Sequence, residues 1–344
     1  MGFWPFSKKK KKSADPISEF WQWWAESGDS IADALDAGTV QDWVEQISAR
    51  VHAIDKKLSW ELGPGVQSTH HLCVTSEGDR QRRVTCERWL AQAPSSSARW
   101  EYYPARQALP GEVQGQALKL AGTEILFADF RFAMDVDETR RLVHLRVTHP
   151  SFAKLSEELR GTATFLMLDN VLGEDGVERW LGGIHIDAGP SETADTDVDP
   201  NGLRAMLAAW NSADAQIAIL EMQTNEGPVI LAVDFGVKRL DHLLMDTHCA
   251  VIIRIETPTE AGLVEDAEAA ELNELEDRLF DSLGNMAIFL GRETGLGERV
   301  IHLHCDSTGR VPELIHKWGS QHPHRTIDLA VNHDPEWSVQ QDWL

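Results

Sequence analysis

The sequence predicts an α+β protein made of two sandwich modules, of which the N-terminal one is the more elaborate. Three observations carry this reading. Strand-like and helix-like segments fall into a countable order in the last third of the chain, a similar order runs from residue 69 to residue 186, and an acidic stretch nearly free of apolar residues separates the two.

In the last third, residues 249–255 are short, β-branched and bounded by Thr257-Pro258, which predicts a buried strand. Between residues 264 and 283, Leu272, Leu275, Leu279 and Leu283 recur at helical spacing, with Ala267 completing the stripe and acids covering the remainder. Residues 286–290 and 299–305 flank the turn-rich stretch 291–297 and predict an antiparallel pair. Pro312 opens a helix over 311–318, and 326–331 form a last strand. The order β-α-β-β-α-β is the split βαβ, or ferredoxin-like, arrangement. Alternation turns Val251, Ile253, Ile255, Ile301, Leu303, Cys305, Ile327, Leu329 and Val331 toward the helices. The other face is polar and expected to be open, with Arg254, Glu256, His302, His304, Thr326 and Asp328. The first and third strands are central neighbours in this arrangement, which places Arg254 beside the histidine pair.

The closing run Ala330-Val331-Asn332-His333-Asp334-Pro335-Glu336-Trp337, with the helix before it, the Gly291-Arg292-Glu293-Thr294 turn and the Arg299 strand, resembles the bacterial domain-of-unknown-function family numbered 695. The resemblance covers about residues 249–344, and its most specific element is Asp334-Pro335-Glu336-Trp337. The chain departs from the family pattern at His302 and His304, where the family has an aromatic strand, and at Gln340.

From the N-terminus, residues 1–14 combine Phe3, Trp4 and Phe6 with Lys8 to Lys12. This composition reads either as a disordered, solubilising tail or as a segment making peripheral contact with an anionic membrane surface. Asp15-Pro16 starts a helix with Ile17, Phe20, Trp21 and Trp24 on one face, and a second helix follows Thr39. Strands are expected at 69–76, 99–104, 125–132, 142–148 and 180–186, with helices at 82–93 and 152–172. This set reads as a second, elaborated split βαβ sandwich over residues 15–188. Residues 189–202 form the linker, and residues 203–344 the C-terminal module, whose sheet the 216–235 hairpin extends.

At 344 residues the chain can hold two full cores, and its formal charge of -23 repels phosphate backbones, so nucleic acid is not an expected partner. No transmembrane segment or signal peptide is readable, and the four cysteines stand apart among apolar neighbours, as in a reducing cytoplasm. Thirteen tryptophans against two tyrosines is an unusual ratio.

Three constellations carry chemistry. His302-x-His304 projects two imidazoles from one strand face, where Asp328 would complete a metal site. Asp169 and Glu174 flank a helix end at Leu172-Gly173 and form a carboxylate pair suited to acid and base work. The helix around Glu271, Glu274 and Asp277 carries an excess of acids that suits a basic protein partner. No Walker loop, nucleophile elbow or cofactor motif is present, and no cofactor is expected. The sequence therefore predicts a cytoplasmic, non-catalytic protein-binding or regulatory module, toxin neutralisation included. The alternative is a metal-assisted hydrolase with His302 and His304, or Asp169 and Glu174, in its site.

Overall fold

The computed structural model describes residues 15–188, 197–210 and 217–344. The chain divides into two compact units, one of residues 1–77 and 85–105 and one of residues 78–84 and 106–344.

In the first unit α1 (Pro16–Asp36) is capped by Asp15, whose carboxylate accepts from the Ile17 N–H, and α2 (Gln41–Ile54) follows. The strands β1 (Ser59–Pro64), β2 (His70–Thr75) and β3 (Trp100–Tyr103) form one sheet in that order, β1-β2 antiparallel and β2-β3 parallel, and α3 (Arg80–Ala91), which belongs to this unit from residue 85 on, comes between the parallel pair in the chain. Its core explains much of the tryptophan excess. Trp21 stacks on Trp89 with ring centroids 4.7 Å apart and donates to the Trp89 carbonyl, Trp100 donates to the Gly28 carbonyl, and Trp24 donates to the Tyr102 hydroxyl. Trp21, Trp24 and Trp100 each fill a large volume while the indole N–H keeps a partner, which makes them cheap to bury.

The second unit begins with the hairpin β4 (Ala117–Leu120) and β5 (Thr123–Leu126). The sheet β6 (Arg131–Asp137), β7 (Leu142–Thr148) and β8 (Leu181–Ile186) is antiparallel, then parallel, with α4 (Glu157–Trp180) as the crossover. The first half of the chain is therefore not one elaborated split βαβ sandwich: its strands lie in two separate three-stranded sheets and a hairpin. Each β-α-β segment closes on its own neighbouring strand, and apolar period alone does not say which strands share a sheet. Of the expected linker, residues 189–196 lie outside the described residues. Val198 bridges to Phe132, and Asp199 caps α5 (Pro200–Ala209), so both sides of the linker belong to the second unit.

The rest of this unit is one antiparallel sheet. Its strands β9 (Ile217–Gln223), β10 (Pro228–Asp234), β11 (Thr247–Arg254), β12 (Ala287–Gly295), β13 (Glu298–Cys305) and β14 (Ile327–His333) lie in the order β14-β11-β13-β12-β10-β9. The helices α6 (Asp266–Leu283) and α7 (Val311–Ser320) cover one face, burying Val251, Ile253, Ile255, Ile301, Leu303 and Cys305 against Leu272, Leu275, Leu279, Ile315 and Trp318. Val331 has the expected parity but is 44% exposed. The stretch 291–294 is strand rather than turn. The reversal is the two-residue loop Leu296-Gly297, both at positive φ, as a tight hairpin requires.

Candidate functional site

The second face of the six-stranded sheet is not open. After β14 the chain turns back through Asp334-Pro335-Glu336-Trp337 into α8 (Ser338–Trp343), which lies over it. Asp334 sets the geometry: its N–H donates to the Asp246 carbonyl, and its carboxylate accepts the Ser338 N–H, closing the first turn of α8. Trp337, in the left-handed region at φ 58°, is driven inward and donates through Nε1 to the Met245 carbonyl. Trp343 covers Gly291, where a Cβ would meet its ring at 3.1 Å and the Ala232 carbonyl at 2.9 Å, which is why a glycine stands in that strand.

Three histidines lie beneath this cover. His304 is 0% exposed and His302 7%, and the third is His248, opposite His304 in the β11-β13 register. His304 Nδ1 lies 3.1 Å from the Met245 carbonyl, which can only accept, so that nitrogen carries the proton. His248 Nε2 and His302 Nδ1 share a hydrogen bond of 3.1 Å. The remaining Nε2 atoms face carboxylates beyond hydrogen-bond reach, His304 at 3.6 Å from Asp334 and His302 at 3.8 Å from Glu293. Burial, then the neighbouring imidazoles, push His302 down to about 3, and burial with the His304 charge brings His248 to about 4. Burial pushes the Asp334 carboxyl up, but His304 and the Ser338 N–H outweigh it and hold it at about 2. His248 and His302 are thus a neutral, hydrogen-bonded pair inside a protein core.

The structure corrects two placements. Arg254 is not beside the histidines: it lies opposite Glu298, its guanidinium 3.7 Å from that carboxylate, and His248 occupies the place expected for it. Asp328 lies opposite Ile252 on β14, with β11 between it and β13, and is exposed. It does not complete a metal site with His302 and His304, and among the described residues no group of three metal-binding side chains is poised to hold an ion. Sequence reasoning missed His248, Met245, Asp246 and Trp343. Of these only His248 left a trace, sharing strand parity with Ala250 and Ile252.

Asp169 and Glu174 do come together, on Arg106. Its guanidinium lies 3.4 Å from Asp169 and 3.2 Å from Glu174, and its backbone N–H also donates to Glu174. The helix end read at Leu172-Gly173 is a break in α4, with Gly173 at φ 73°. The unfavourable pole of the helix dipole there is met by Arg204, which donates to the carbonyls of Val171, Asn170 and Leu109. The two carboxylates are thus held together on one guanidinium.

On α6 the acids divide in two. Glu268 and Glu276 are buried and paired, the first with Arg325 and the backbone N–H groups of Glu256 and Thr257, the second with Arg292 at 2.8 Å and Arg299 at 3.6 Å. Burial pushes Glu268 up, but these donors outweigh it and hold the carboxyl at about 2. The outward acids stay in solvent: Glu271 reaches Arg325, Glu274 meets Arg278 one turn on, and Asp277 and Asp281 have no basic partner among the described residues.

No helix among the described residues is long and apolar enough to cross a membrane. Residues 220–344 match the family described as "Family of unknown function (DUF695)". The match takes in the second half of β9, from Leu220, and every later element, including the motif Asp334-Pro335-Glu336-Trp337 and the cover it forms. No curated protein and no solved structure matches the chain.

Proposed function

We propose that the protein is a non-catalytic binding or regulatory module of the cytoplasm that captures a basic protein partner through the outer face of α6; neutralising a toxin would be one such role. The observation that carries this is the division of the α6 acids. Those facing inward are matched by Arg325, Arg292 and Arg299, whereas the outward Asp277 and Asp281 have no basic partner among the described residues and add to the charge of a chain whose formal total is already -23. Such a surface accelerates encounter with a cation and loses its hold as salt rises. The hydrolase alternative is disfavoured by burial at His302 and His304 and by the Arg106 pairing of Asp169 and Glu174, since neither pair offers a reacting group to a solute. On the fold, we read residues 247–333 as a ferredoxin-like sandwich extended by the β9-β10 hairpin. Its support is the order of β14, β11, β13 and β12, which is fourth, first, third, second among those four strands. The membrane-contact segment with Phe3, Trp4, Phe6 and Lys8 to Lys12 lies outside the described residues, and sedimentation with anionic vesicles, with and without residues 1–14, tests it.

The test of the main reading is a tagged pull-down from native cytoplasm at low and high salt. A basic protein is expected at low salt, and its capture is expected to disappear in the variant Glu271→Lys, Glu274→Lys, Asp277→Lys. Because Glu271 touches Arg325, the double variant Glu274→Lys, Asp277→Lys with unchanged circular dichroism separates charge from folding. Undiminished capture by both variants overturns the reading.

A further inference from the structure

Beyond α6 the sheet continues without cover from the described residues. On the helix side of β9 and β10, Ile217 is 69% exposed, Ile219 75% and Ile230 38%. Ile219 lies opposite Ala232, and Ala232 opposite Arg292, whose guanidinium reaches Glu276 and Asn273 on α6. This apolar shelf therefore abuts the flank of α6, where Asp277 follows Asn273 by one helical turn. Two more acids share the shelf by register, Glu221 opposite Ile230 and Asp234 opposite Ile217. From the other face β9 is held by Ala218, Leu220 and Met222, packed into the core beneath Trp343. The strand is thus fixed, and its outer edge pairs with no strand among the described residues. Its edge carries few of the devices that keep a sheet edge solitary: residues 217–223 contain no lysine and no proline, Glu221 is their one charge, and their register with β10 runs without a bulge.

We infer that the β9 edge receives an added strand from the basic partner, an extended segment with two small apolar residues two positions apart and a lysine or arginine beyond each on the same face. The apolar pair lies against Ile217 and Ile219, and the flanking cations meet Glu221 and the acids beside the shelf. Backbone pairing gives affinity and this alternation gives selection. The inference rests on the reading of α6 as a face for a basic protein and adds how that protein is held. Charge decides against a second copy as occupant, since it would bring another chain of charge -23 to the same acids.

The probe is the capped, labelled heptapeptide Lys-Thr-Val-Thr-Val-Thr-Lys, which reads the same in both directions, titrated with the full chain and followed by fluorescence anisotropy. Saturable binding that weakens with salt is expected. It should fall at least about tenfold for the block isomer Lys-Lys-Val-Val-Thr-Thr-Thr, whose charge is equal but whose alternation is gone. Ile219→Lys, at an exposed position, should lower it likewise, with Ile217→Thr as a milder second variant. Two N-methylated probes supply the strand signature. Methylation at every valine and methylation at every threonine block opposite edges of the added strand, so one must lose binding and the other keep it. Equal binding by the block isomer and both methylated probes, or no binding of the alternating probe, overturns strand addition. Failure of the α6 charge reading shows separately, as partner capture indifferent to Glu274→Lys, Asp277→Lys. Self-association of the full chain that Ile219→Lys abolishes would give the edge to a second copy and overturn the inference as well.

Discussion

Trp337 and His304 donate to one carbonyl, that of Met245, from 2.8 and 3.1 Å, with their ring centroids 4.6 Å apart. The arrangement locks the His304 tautomer and seals the histidine layer, so the motif at the chain's end acts as the lid of a second core. Trp337→Ala should destabilise the protein by about 3–5 kcal/mol in urea unfolding, the range for large aromatic truncations in a core. Trp337→Phe keeps most of the ring and removes one of the two donors, and should cost about 1 kcal/mol beyond its smaller burial. A Trp337→Phe loss no larger than its smaller burial accounts for would show that the indole N–H contributes nothing.

Stability should depend on pH below neutrality. His248 and His302 are held at about 4 and about 3, against 6.5 for the ordinary imidazole. Below about 6.5 the unfolded chain takes up protons that the folded chain refuses, so this stability is complete above that pH and falls as pH drops toward the folded values. Glu268 and Asp334, each held at about 2, add a second loss as pH falls below their ordinary 4.5 and 3.8. The urea midpoint should decline from pH 6.5 to pH 4.5, and His302→Leu should flatten that slope. A flat profile in the unmodified protein would contradict the buried, neutral pair of His248 and His302.

Arg325 joins a buried acid and an exposed one, and the two should differ in worth. Removing the guanidinium in Arg325→Met leaves Glu268 charged, buried and short of a donor, for a loss of about 3–5 kcal/mol. Glu271→Gln breaks only the solvent-facing pair and should cost about 0–1 kcal/mol. Differential scanning calorimetry on both variants checks the ranking, and a larger shift for Glu271→Gln would reverse the assignment.

Gly173 is required by its backbone. At φ 73° an added Cβ would lie 3.0 Å from both the Arg106 carbonyl and the Ala108 N. Gly173→Ala should therefore lower stability by about 1–3 kcal/mol, through left-handed strain and that close approach. A thermal midpoint unchanged from the parent protein would mean that the break in α4 relaxes freely.

Much of the C-terminal sheet was legible because its signals are local. Leu272, Leu275, Leu279 and Leu283 mark one helix face, and Val251, Ile253, Ile301 and Leu303 mark one strand face, since each apolar period records a surface that has to leave water. The hairpin of β9 and β10 also joins the sheet as its composition suggested. The division of the first half into separate sheets was not legible, because strand-like segments of similar length and pattern do not name their partners.

By itself, then, the sequence determined the α+β elements, the helix-facing side of the C-terminal sheet, the acidic surface of α6 and the family resemblance of the chain's end. Tertiary structure alone decided that His302 and His304 lie under a lid with His248, that Arg254 and Asp328 stand apart from them, and that Asp169 and Glu174 close on Arg106. The physical reason is range. An amphipathic period is written within one or two turns or strands, whereas whether a polar side chain is a site or a satisfied core group depends on what packs against it. For His304 that neighbour is Met245, 59 residues earlier in the chain.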